Sequence, residues 1–134
     1  MKRKLTILLA TVLILGSAAF VRSDRAFAQS APLPTLTNVI PPTLVVPGQP
    51  VTLTVMVSSI YENSGLVPSG TVDFFAGPDN YVGSATLSPA SLVGMASVTV
   101  QLSPGFYYIS AQYNGDAAFD YSYSVPSIPL QILQ

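Results

Sequence analysis

Val51-Thr52-Leu53-Thr54-Val55-Met56-Val57-Ser58 places an aliphatic residue at every second position. A β-strand turns successive side chains to opposite faces, so Val51, Leu53, Val55 and Val57 share one face that must be buried. The same period recurs downstream. Residues 70–76 put Val72 and Phe74 inward and Asp73 and Phe75 outward, and residues 95–102 set Ala96, Val98, Val100 and Leu102 on one face. In residues 106–113 the phase taken is Tyr107, Ile109, Ala111 and Tyr113 inward, which leaves Phe106 and Tyr108 outward. Residues 81–87 read as a weaker edge strand rich in Ser and Thr. Residues 125–133 close the series with Ile128, Leu130 and Ile132 inward, and Pro126 and Pro129 confine this strand to an edge or a bulge.

Turn chemistry separates these runs at Val46-Pro47-Gly48, Ala76-Gly77-Pro78-Asp79-Asn80, Ser103-Pro104-Gly105 and Asn114-Gly115-Asp116. No interior stretch carries a helical period. With a leading strand near residues 36–46, about seven short strands are expected, the spacing of an all-β, immunoglobulin-like antiparallel sandwich. The expected organisation is a signal peptide over 1–28, a Pro/Thr-rich leader or first strand over 29–42, and a single sandwich over 43–134.

The signal reading rests on Lys2-Arg3-Lys4, an apolar run from Leu5 to Phe20, and Ala26-Phe27-Ala28 as an A-x-A-like cleavage site before Gln29. Arg22, Asp24 and Arg25 interrupt the apolar run and disfavour an uncleaved anchor. Export to a cell surface or the medium is therefore expected, with no membrane insertion after cleavage. The chain has no Cys, so a disulfide framework is excluded and stability must come from the core.

Charge narrows function further. All five basic residues (Lys2, Lys4, Arg3, Arg22 and Arg25) precede Ala28, while five acids follow it: Glu62, Asp73, Asp79, Asp116 and Asp120. The formal charge of −1 thus becomes −5 past the cleavage site. A domain without cations releases no counterions from nucleic acid, so neither DNA nor RNA is an expected partner. With no His, Cys or Lys, it has no imidazole base, thiolate or Schiff-base amine, and no enzyme activity is expected. Glycoside hydrolysis by two acids would need a sugar cleft that a small sandwich lacks. No cofactor is expected.

The ordered set Gly48-Gln49-Pro50-Val51-Thr52-Leu53-Thr54-Val55, Pro68-Ser69-Gly70-Thr71-Val72-Asp73-Phe74, Gly83-Ser84-Ala85-Thr86-Leu87, residues 103–113 and Asn114-Gly115-Asp116-Ala117-Ala118-Phe119 is similar to bacterial Ig-like domains of the third group. The resemblance spans roughly residues 43–133 and implies a spacer or adhesive module of secreted and surface proteins, with no catalytic residues to carry over. Gly105-Phe106-Tyr107-Tyr108-Ile109 also resembles the G-x-Y-x-C segment of antibody domains, with Ile109 in the place of cysteine. That likeness implies a tyrosine corner at Tyr107, Leu53 or Val55 facing Ile109, and Phe74 in the place of the tryptophan.

Three candidate surfaces follow. Glu62, Asp116 and Asp120 fall on loops that this topology gathers at one end, where hard oxygens suit Ca²⁺, although turn formation and solubility also account for them. Phe75, Phe106 and Tyr108 face outward on strands expected to be neighbours, with Tyr61, Tyr81, Tyr121 and Tyr123 at the margins. Such rings suit a glycan or protein partner at the cell surface, or simply stabilise the sheet by cross-strand pairing. Lastly, residues 29–42 lent to a neighbour's open edge would build a filament by β-strand addition.

Overall fold

Alternation sets which side of each strand is buried, and Pro and Gly set where each strand stops. The structure, a computed structural model, describes residues 30–134; the expected signal segment lies outside the described residues. Among the described residues, nine strands run in order: β1 (Thr35–Ile40), β2 (Val51–Ser59), β3 (Thr71–Ala76), β4 (Tyr81–Thr86), β5 (Ser88–Ala90), β6 (Val93–Val100), β7 (Gly105–Tyr113), β8 (Ser122–Tyr123) and β9 (Ile128–Ile132). They form two antiparallel sheets, β1-β2-β6-β5 and β4-β3-β7-β8, with β9 also paired to β7. The protein is an immunoglobulin-like all-β sandwich.

The inward faces meet as predicted from the period. Leu53, Val55, Val57, Val72, Phe74 and Tyr113 are fully buried, and Ile109 and Ala111 nearly so. Burying a side chain of this size contributes about 1.5–3 kcal/mol, which offsets backbone ordering without a disulfide. At Gly94 a Cβ would lie 2.7 Å from the Pro68 carbonyl oxygen, so only glycine lets β6 pass beneath that loop.

Two expectations change. The strand expected near residues 36–46 is β1, which ends at Ile40 because Pro41 and Pro42 have no N–H for a ladder. β1 thus falls within the 29–42 segment and pairs with β2 inside its own sandwich, from Thr35↔Ser59 to Ile40↔Thr54. The tally rises from about seven to nine because β5 and β8 span three and two residues, too short for a period to register.

β1 also joins the two layers. Single parallel bridges link Leu33 to Phe119 and Thr37 to Ser124. Beside them, Thr35 and Thr37 each place a hydroxyl 2.7 Å from the Ser122 hydroxyl, and Thr35 Oγ1 donates to the Asp120 carbonyl at 2.9 Å. Leu33 therefore sits just beyond the C-terminal end of β7, whereas Ile132 pairs with Gly105 at its N-terminal end. Nine extended residues hold these points about 30 Å apart.

Candidate functional site

Among the described residues, no group of three or more acidic side chains is placed to hold an ion. Asp116, one of the loop acids singled out with Glu62 and Asp120, is engaged within the protein. Its Oδ2 accepts the Ser69 N–H at 2.9 Å and the Ser69 hydroxyl at 2.6 Å, and its Oδ1 accepts the N–H groups of Ala118 at 2.7 Å and Phe119 at 2.8 Å. Partial burial disfavours the charge, but these donors outweigh it and hold the carboxyl below its ordinary 3.8. Asp120 accepts the N–H of Tyr121 at 2.8 Å and is exposed, as is Glu62. Asp116 is a tie between the β2–β3 and β7–β8 connections. The only sequence signal for it is an Asp ahead of two free backbone donors, a pattern shared by many turns.

Beside that tie, the hydroxyl of Tyr113 is buried without a hydrogen-bond partner. Burial first, and the Asp116 charge second, push it well above the ordinary 10.0 of a phenol. Tyr107 behaves differently: its hydroxyl donates to the Ser103 carbonyl at 2.8 Å, four residues upstream. Phe74, Leu53, Val55 and Ile109 all lie in the core.

The outward aromatics lie on the five-stranded layer. β3 and β7 are paired, with Phe75 opposite Ser110, so Phe75 is one diagonal step from Tyr108. The rings do not form one stack. They form T-shaped pairs: Phe106 with Tyr108 (centroids 5.2 Å apart), Phe75 with Tyr81 (6.0 Å) and Tyr121 with Tyr123 (6.0 Å). Phe106 remains 59% exposed and Tyr108 56%, although each has a ring partner, so pairing leaves most of the ring surface open.

The opposite layer carries hydroxyl pairs, Thr52 with Thr99 at 3.0 Å and Thr54 with Ser97 at 2.9 Å. Over it, the β1–β2 connection frames an open concavity of about 390 Å³, lined by residues that include Ile40, Pro41, Leu44, Pro50 and Met95. None of its lining side chains is ionisable; its polar side chains are the hydroxyls of Thr43, Thr52 and Thr54. Among the described residues, the two layers turn outward sheet faces of different chemistry, aromatic on one and hydroxyl-rich on the other.

A family model described as bacterial Ig-like domain (group 3) matches residues 36–129, more than half of the chain. No curated protein matches it.

Proposed function

Since the chain belongs to the bacterial Ig-like domains of group 3, we propose that it works as a structural and adhesive module outside the cell, performing no catalysis. The family is generally non-catalytic and typically occurs in surface or extracellular proteins. Among the described residues, no helix is long and apolar enough to cross a membrane. The observation that carries the reading is where the first and last strands of the sandwich are anchored. Leu33, just ahead of β1, and Ile132, at the end of β9, sit at opposite ends of β7, so a pull between them runs along the strands. Such a pull loads the six β1–β2 pairs and the five β7–β9 pairs together instead of opening them one by one. That arrangement suits a part that holds two things apart under tension.

Export is tested by expressing the whole chain in a bacterium with an epitope tag at its C-terminus, then fractionating the cells. The reading expects a product beginning at Gln29 outside the cytoplasm. An uncut product inside the cytoplasm would contradict it.

A further inference from the structure

The five-stranded layer turns a face outward whose chemistry differs from that of the opposite layer. Its outward strand positions carry Phe75, Tyr81, Phe106, Tyr108 and Tyr123, interleaved with the polar side chains of Ser110, Gln112 and Gln131. None of those outward positions holds Leu, Ile, Val or Met. The opposite layer does carry outward aliphatics and thioethers, among them Leu36, Ile40, Met56 and Met95. We infer that the aromatic face binds a neutral polysaccharide chain, laid along the stripe formed by Phe106, Tyr108, Phe75 and Tyr81.

Four features point to that class of ligand. A pyranose has an apolar C–H face and a rim of hydroxyls. Exposed rings meet the first, while phenol hydroxyls and Gln amides meet the second. Protein interfaces bury aliphatic side chains along with aromatics; here the outward strand positions offer only Pro129, opposite Tyr108, with Val125 and Leu133 exposed on the chain beside β9.

Charge excludes most alternatives. No Lys, Arg or His occurs among residues 29–134, so an anionic polymer finds no counter-charge and meets a net charge of −5. The one acid among these outward positions, Asp73, accepts a hydrogen bond from the Asn114 amide at 3.1 Å.

The shape fits an extended occupant. Phe106 and Tyr108 are two residues apart on β7, about 7 Å along the strand. Phe75 and Tyr81 continue the line across β3 to the β4 edge, since Phe75 pairs with Ser110 on one side and with Tyr81 on the other. The rings thus form a diagonal stripe with an open end at an edge strand, where a polymer can run on past the protein.

This inference rests on the reading of the protein as an exterior module and names what it would hold. The test is native gel electrophoresis of the secreted protein through gels containing hydroxyethyl cellulose, xylan or glucomannan, with polygalacturonate as the anionic comparison. At least one neutral polymer should retard the protein, and polygalacturonate should not. The double variant Phe106→Ser/Tyr108→Ser should lose at least tenfold in affinity while melting as a folded domain, Phe106→Tyr should retain binding, and Leu44→Ser on the other layer should change nothing. No retardation by any neutral polymer overturns the inference, as does equal retardation of the double variant. Dimerisation that the double variant abolishes also overturns it, by assigning the face to a second copy. These failures leave the exterior-module reading standing, whereas an unprocessed cytoplasmic product removes both.

Discussion

At the level of single residues, the most consequential side chain is one whose charge has a structural use. Asp116 collects four donors from two connections, and hydrogen bonds to a charged group are the stronger kind. Replacing it with Ala should lower unfolding stability by about 2 kcal/mol at neutral pH, read from urea melts. Because its folded value lies below the ordinary 3.8, the stability it contributes is present above that pH and fades as acid protonates the folded carboxyl. The gap between wild type and Asp116→Ala should therefore narrow below about pH 4; a gap that stays constant into acid would show the carboxylate charge to be irrelevant. Tyr113 has the opposite sign. Its folded value is raised, so its contribution is complete below 10.0 and is lost as the pH climbs beyond. Tyr113→Phe removes a buried hydroxyl without a partner, and should raise stability by about 1 kcal/mol while flattening the alkaline decline. A destabilised Phe variant would mean that the hydroxyl is bonded.

Among elements, β1 decides whether the two layers are joined. Ser122 bridges the hydroxyls of Thr35 and Thr37, and Thr37 is fully buried. Ser122→Ala should strip both partners at once and cost about 1–2 kcal/mol, with hydrogen exchange speeding up first in β1; unchanged exchange there would show that β2 alone holds the strand. This seam also marks the limit of what the sequence discloses. Strict alternation in Val51–Ser59 makes its buried face legible, because burial on one side leaves a period of two; in Gly105–Tyr113 two phases are open, and the neighbours follow from the Ig-like topology instead. Phe75, Phe106 and Tyr108 could be placed on an outward face by the phase taken in each run. Hydroxyl pairing could not be read, since Thr35, Thr37 and Ser122 look like ordinary strand and loop residues until the layers meet. The engagement of Asp116 was hidden for a related reason: proximity of loops follows from topology, but three of its four donors are backbone groups, which leave no residue-type signature.

For the molecule as a whole, the missing cations shape behaviour as much as the core does. Past residue 28, no side chain of a type that ordinarily titrates between the carboxylates and tyrosine is present, so stability should hold nearly level from about pH 5 to pH 9. Salt should also matter little, because no ion pair can form between side chains in that region. A part with a level pH response, whose first and last strands are anchored at opposite ends of β7, suits bearing tension in changing surroundings. The most direct test is to hold single molecules at residues 31 and 134 and pull. The account predicts one sharp, all-or-none rupture that lengthens the chain by roughly 300 Å, as β1 and β9 shear from their neighbours together. Gradual lengthening at low force, with strands peeling away in sequence, would contradict it.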